Sequence, residues 1–304
     1  MNKDLVTEYD LAEEDFDFIF TRAGELKRFL KEGRPHQVLT GKTLGMIFEK
    51  ASTRTRLSFE VGMYQLGGLA VFLNTSDTQL GRGETVSDTA KIMSRYLDGI
   101  MIRTFAQKTV EDLAAHADIP VINGLTDLLH PCQILSDLFT IMEKKGDYRG
   151  LKIAYIGDGN NIANSWINAA SRLPLKLALA CPEGYEPDSE LLARGRNETR
   201  EGIYLCRDPE EAVEKADVVY TDVWASMGQE AEREHRSRVF KTYQVNENLL
   251  SHAQEDYIVM HCLPAHRGEE ITSGVIDGPH SVVLDQAENR LHVQKAILET
   301  LMKE

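Results

Sequence analysis

From about residue 40 the chain repeats one rhythm: a short β-branched or aliphatic run, a polar or glycine-containing turn, then a longer segment with helical spacing of apolar residues. Parallel strands impose this alternation, because each needs a crossover long enough to hold a helix. Strands are expected at 43–48, 69–73, 99–103, 119–122, 152–156, 176–180, 203–206, 217–221, 257–261 and 281–284. Ahead of them, Asp10 followed by Glu13 predicts a capping box that opens a helix running toward Phe29 and Leu30 and stopping near Gly33 and Pro35. Polar residues crowd 144–150, which marks the expected boundary. The fold class that follows is α/β, with two domains, each a parallel β-sheet flanked by helices, joined by interdomain helices. They are expected over residues 1–145 and 146–285. The last amphipathic segment, 286–302, has Leu291, Ile297, Leu298 and Leu301 on its apolar side and can pack on either domain. The charged stretch 229–241 reads as a long mobile loop or a solvated helix.

A length of 304 residues suits two domains that each bury a core. The formal charge of −14 disfavours nonspecific contact with nucleic acid or an anionic membrane, so an anionic ligand requires a locally basic pocket. Seven acids against one lysine in the first twenty residues are the opposite of a leader peptide, and a cytoplasmic home is expected. Cys132, Cys181, Cys206 and Cys262 lack the paired spacing of a zinc site or a redox motif, so thiols and no structural metal are expected.

In parallel sheets ligands bind beyond the carboxyl ends of strands, so polar clusters directly after strands carry the most information. The strand ending at Phe48 leads into Ser52-Thr53-Arg54-Thr55-Arg56. A helix start offering backbone N–H groups, hydroxyls and a guanidinium is a ready anion site. The plain alternative is a Ser52-capped helix with two solvated arginines, and since Arg54 and Arg56 point to different sides only one need face a ligand. Gln79-Leu80-Gly81-Arg82-Gly83 is a turn of weaker character. Arg103 ends an apolar run, where a charge is costly unless it is paired or faces a cleft. His130-Pro131-Cys132-Gln133 opens a helix.

In the second half, Gly157-Asp158-Gly159-Asn160-Asn161 invites a dinucleotide reading, but Ile162 stands where the third small residue belongs. Glu183, after the next strand, keeps an NAD-dependent dehydrogenase as a minority reading. Asp222 follows one strand and could hold an ammonium. Cys262 follows another and could be a nucleophile, a polar contact or a buried thiol. Phosphate-like features in the first half and ammonium-like features in the second converge on one expected interdomain cleft.

Taken in order and spacing, Ser-Thr-Arg-Thr-Arg at 52–56, His-Pro-Cys-Gln at 130–133, Asp-x-x-x-Ser-Met-Gly at 222–228, His-Cys-Leu-Pro at 261–264 and Glu-Asn-Arg at 288–290 resemble the aspartate/ornithine carbamoyltransferase family. The Ser-Met-Gly and His-Cys-Leu-Pro elements are similar to its ornithine branch. The resemblance implies that Ser52, Thr53, Arg54 and Thr55 hold carbamoyl phosphate together with Arg103, His130, Gln133 and Arg290, and that Gln79 reaches in from a neighbouring subunit of a homotrimer. It implies that Asn161, Asp222, Ser226, Met227, Cys262 and Leu263 receive L-ornithine, with Arg103, His130 and Cys262 nearest the chemistry. It further implies no cofactor, no metal, no nucleic-acid or membrane partner, a cis peptide before Pro264, and a C-terminal helix, 286–304, that packs back on the first domain. A relative acting on another amine, such as putrescine, shares the phosphate half, and a binding protein without turnover is the non-enzyme alternative. The segment 226–241 is expected to close over ornithine.

Overall fold

The protein is described by a computed structural model over residues 2–75, 83–225 and 232–303. Its contacts divide it into two units, Met1–Phe139 with Glu288–Glu304, and Thr140–Ala287.

The first unit opens with α1 (Glu13–Lys31), which buries Phe16, Ile19, Phe20, Ala23 and Leu26 along one face. Next come β1 (Thr43–Phe48), α2 (Thr53–Gln65), β2 (Leu69–Asn74), α3 (Val86–Met93), β3 (Gly99–Arg103), α4 (Gln107–His116), β4 (Val121–Leu125) and the start of α5 (Pro131–Lys145). Among the described residues the sheet runs β2-β1-β3-β4, all parallel. The inner strands β1 and β3 are buried almost throughout, whereas β2, at one edge, is half-exposed. That is why the inner strands are nearly continuous apolar runs.

The second unit contains β5 (Lys152–Ile156), α6 (Asn161–Arg172), β6 (Lys176–Ala180), α7 (Ser189–Glu198), β7 (Ile203–Cys206), α8 (Pro209–Val213), β8 (Val218–Thr221), α9 (Arg233–Val239), α10 (Glu247–Leu250), β9 (Ile258–His261), α11 (Ser273–Ile276) and the first turn of α12 (Val283–Met302). Its strand order is β7-β6-β5-β8-β9, again all parallel. Buried Trp166 on α6 meets Tyr220 of β8 edge-on with ring centres 5.8 Å apart, and Tyr220 stacks on Tyr155 of β5 at 6.0 Å.

Both sheets reverse strand order once, between β1 and β3 in the first and between β5 and β8 in the second. At these switch points two crossovers leave in opposite directions and open a crevice beyond the carboxyl ends. Register partners there are Phe48 with Arg103, and Ile156 with Thr221, which in turn pairs with His261.

Several sequence expectations shift. The expected strand at 281–284 is a single bridge from Ser281 to Val259, because Val282 already accepts from Gln286 N–H at 2.9 Å and α12 has begun by Val283. β4 starts at Val121 rather than 119, since Pro120 has no N–H to give a ladder. Asp10 does not open α1. Its carboxylate is spent on the N–H groups of Val6 (2.7 Å) and Thr7 (2.9 Å), and Asp15 instead accepts from Ala12 N–H at 2.9 Å. The contact division falls inside α5, after Phe139, and inside α12, before Glu288, where no turn residue marks it. The stretch 229–241 holds α9, whose Arg236 is buried, so it is not a wholly solvated segment. No helix among the described residues is long and apolar enough to cross a membrane.

Candidate active site

At the switch point of the first sheet, β1 ends and the chain enters α2. Ser52, in extended backbone, caps the helix by accepting from Thr55 N–H at 3.2 Å. The two arginines of this turn part as their spacing requires. Arg56 bonds Glu60 at 2.9 Å and lies over the Phe72 ring at 3.9 Å. It lines a groove of about 660 Å³ with Phe48, Lys50, Ser52 and Thr53. Arg54 is not among the lining residues and has no side-chain partner among the described residues.

Thr55 is fully buried, and its hydroxyl accepts from the Arg290 guanidinium at 2.7 Å. Arg103, at the end of β3, and Arg290, on α12, both act on His130, which lies just before α5. Burial first, then these two cations, hold the His130 imidazole well below its ordinary range, so it is neutral at physiological pH. One helical turn on, buried Gln133 donates to Asp137 at 2.8 Å, while its amide oxygen has no partner among the described residues. An unpaired buried acceptor costs about 1–3 kcal/mol and is relieved by a ligand N–H. Cys132, between them, bonds its sulfur to Asn123 O at 3.4 Å and is a buried thiol pushed up to about 12. It is a packing residue.

At the second switch point, Asn160 caps α6 with its side-chain oxygen and donates its amide N–H to Asp222 at 2.7 Å. The other oxygen of Asp222 accepts the Cys262 thiol at 3.0 Å. Asp158 sits beside them, bound to Arg236 at 2.9 Å and raised to about 6 by burial, which outweighs that guanidinium. Arg236 also donates to Trp224 O at 2.8 Å, tying α9 to the turn after β8. Leu263 has φ of +58° and precedes a cis peptide at Pro264. Asn160, Asp158 and Arg236 are contributors that the sequence reading did not single out; the sign of the first two was an unusually polar turn directly after β5, whereas Arg236, on α9, carried no such sign. Gln79, Ser226 and Met227 lie outside the described residues.

Two other chemistries fit the geometry less well. A Cβ on Gly159 would sit 2.1 Å from Pro187 N and 2.2 Å from Glu186 C. The chain at 186–187 therefore occupies the space over the glycine turn where a pyrophosphate would approach, so this turn serves chain packing rather than a dinucleotide. Asp222, His261 and Cys262 lie close enough to share a metal. However, His261 Nδ1 accepts Leu263 N–H at 2.9 Å and its Nε2 meets Glu270 at 3.1 Å, which leaves the imidazole no lone pair for a metal.

One α/β unit thus carries an anion-binding helix start with buried arginines, and the other carries a carboxylate-thiol pair. Residues 3–143 match the carbamoyl-P binding domain of aspartate/ornithine carbamoyltransferases, and residues 149–301 match their Asp/Orn binding domain. The chain belongs to the aspartate/ornithine carbamoyltransferase family. Within it, the chain is 72% identical over 302 residues to an ornithine carbamoyltransferase of Syntrophus aciditrophicus, covering 99% of this chain and all of the relative. It is 56% identical to that of Thermococcus kodakarensis, with 99% of this chain and 96% of the relative covered. The solved ornithine carbamoyltransferase from Pyrococcus furiosus matches with a TM-score of 0.95 at 54% identity, over 98% of this chain and 96% of that one.

Proposed function

We propose that this protein transfers the carbamoyl group of carbamoyl phosphate to the δ-amine of L-ornithine, giving L-citrulline and phosphate. The observation that carries this reading is the buried, neutral His130 acted on by Arg103 and Arg290, one turn from the unpaired amide oxygen of Gln133. These groups suit an acyl phosphate that bears an amide: cations for the phosphate, a neutral imidazole N–H for the carbonyl oxygen, and an acceptor for the carbamoyl NH₂. Ser52, Thr53, Arg54 and Thr55 complete the phosphate seat at the α2 N-terminus.

The neutral δ-nitrogen attacks the carbonyl carbon, a C–N bond forms, the electron pair of the C–O bond departs with phosphate, and the proton lost from the nitrogen ends on the departing phosphate. Arg103, His130 and the Thr55 hydroxyl stabilise the oxyanion, and the α2 N-terminus with Arg54 stabilises the leaving phosphate. Cys262 and Leu263 lie near the δ-amine, with Asn161, Asp222, Ser226 and Met227 around the amino-acid head group. An amine with a pKa of about 10.4 is neutral in only about one molecule in 2,500 at pH 7, so the site must favour the neutral form. Direct attack requires no carbamoylated enzyme, which casts Cys262 as a partner for the amine rather than a nucleophile.

We place the enzyme in the cytoplasm as a homotrimer with Gln79 entering from the neighbouring subunit. Leu57, Val61 and Tyr64, on one face of α2, and Leu69, on edge strand β2, are 54%, 37%, 79% and 60% exposed, an apolar stripe beside a sheet edge that suits a second chain. A citrulline assay with ornithine, set beside N-carbamoyl product assays with aspartate, putrescine and N-acetylornithine, tests the function. Turnover of ornithine alone is expected. Turnover of another amine overturns the assignment of Asp222, and silence with all four overturns the transferase. Light scattering that finds a single chain per particle overturns the trimer.

A further inference from the structure

Glu270 carries a carboxylate with 0% side-chain exposure, a costly placement that the reaction outlined above does not use. Its Oε1 lies 3.1 Å from His261 Nε2 and also accepts His266 N–H. The His261 side chain is equally buried, and its Nδ1 accepts Leu263 N–H at 2.9 Å. An imidazole nitrogen that accepts carries no proton, so the other carries it and donates to the carboxylate. The His261 backbone is pinned as well, with its N–H on Gln286 Oε1 at 2.9 Å, and Gln286 donates in turn to Tyr220 Oη at 3.1 Å. A fixed imidazole thus grips the amide of a residue in left-handed backbone, and the residue between them is Cys262, whose thiol reaches Asp222 at 3.0 Å.

We propose that Glu270 is a positioning residue for the amine half of the site: acting through His261, it fixes the Leu263 amide and thereby holds the Cys262 thiol on Asp222. The inference rests on the assignment of that half-site to ornithine. A carboxylate orienting an imidazole through one nitrogen, so that the other acts in a set tautomer, is a general device. Here it is turned toward a backbone amide rather than a substrate.

The test uses the full-length chain with Glu270→Gln, which keeps one acceptor and removes the charge, and Glu270→Leu, which removes both. For Glu270→Leu, kcat/KM for ornithine is expected to fall by about 10²-fold, as misplacement of a reacting group does, with a smaller loss for Glu270→Gln. The KM for carbamoyl phosphate should stay within about twofold, because the groups proposed to hold it belong to the other unit. Alkylation of Cys262 by iodoacetamide should change rate in both variants. The other three cysteines are buried, so the reagent reads this one. Wild-type ornithine kinetics in Glu270→Leu, or equal losses on both substrates, overturns the proposal. If neither variant folds, His261→Asn against His261→Ala decides: the Asn amide oxygen can take the place of Nδ1, and no recovery of ornithine KM over Ala overturns it. Neutron diffraction of the wild type reads the tautomer directly, with deuterium on Nε2 expected and deuterium on Nδ1 contrary. A wild type that makes no citrulline but alkylates Cys262 slowly, and its Glu270 variants fast, would sink the ornithine reading and leave the relay standing.

Discussion

Arg290, on the last helix, places its Nη2 2.7 Å from the hydroxyl of Thr55, in the first turn of α2, across a sequence separation of 235 residues. Because the guanidinium donates to the Thr55 oxygen, the hydroxyl hydrogen is left to donate elsewhere. A helix start gains a hydroxyl donor whose orientation is set by a buried cation.

Arg290→Gln should therefore lower kcat/KM for carbamoyl phosphate by about 10²-fold, the usual cost of losing one donor at a developing charge. The KM for ornithine should move little at saturating carbamoyl phosphate. Steady-state kinetics on the folded variant checks this, and an unchanged kcat/KM contradicts the role of Arg290.

Cys262→Ser keeps a group that can donate to Asp222 in place of the thiol contact seen at 3.0 Å. A loss of about tenfold in kcat is expected, with turnover retained, in line with the loss of an assisting rather than a covalent group. Complete inactivity with an intact fold would reopen covalent catalysis.

Activity should rise with pH. The attacking amine must be neutral, and its neutral fraction grows about tenfold per pH unit below a pKa of about 10.4. His130 does not oppose this rise, since burial, Arg290 and Arg103 keep it neutral throughout. A flat kcat/KM for ornithine from pH 6 to 9 contradicts the expectation.

Acid should weaken the fold partly through His292, which burial, followed by Lys295, pushes down to about 4. Its pKa is depressed in the fold, so it stays neutral there while the unfolded chain takes up a proton below about 6.5. Stability present above that pH is lost as pH falls toward about 4. The loss from this group is about 2 kcal/mol on going from pH 7 to pH 5. Asp158, raised to about 6, works the other way, because the folded state binds its proton more readily than the unfolded chain between about pH 6 and 3.8. Urea unfolding of His292→Gln at the two pH values should show a smaller difference than the wild type. An identical difference refutes the assignment.

Gly159→Ala should destabilise the protein by about 3 kcal/mol, since its Cβ would collide with backbone at 186–187 rather than with a side chain that can turn away. A urea midpoint equal to the wild type's would show that this chain crossing yields at little cost.

Much of the fold was legible from the chain alone, because the parallel strands are buried on both faces and read as apolar runs whose ends are marked by polar turns. Thr43–Phe48, Gly99–Arg103, Lys152–Ile156 and Lys176–Ala180 sit where the residues place them. The expected strand at 281–284 failed for a local reason: Val282, Val283 and Leu284 suit either a strand or a first helical turn, and a run this short carries no period to choose between them. The start of α1 failed because two acids in a row of turns could each cap, and only the competing N–H groups of Val6 and Thr7 decide which one does.

The sequence by itself determined the α/β class, the strands that carry the switch points, and the polar clusters beyond their ends, since strand burial and helix capping are set by residues a few positions apart. Which side chains in those clusters meet was decided only by tertiary structure. Arg103 read equally well as one half of a structural ion pair until His130 and Arg290 gathered beside it. Asn160 met Asp222, and Glu270 reached His261 from a turn with no motif of its own. Such meetings depend on where crossovers of many residues return the chain. A hydrogen bond spans about 3 Å, and no local pattern encodes a return to that tolerance.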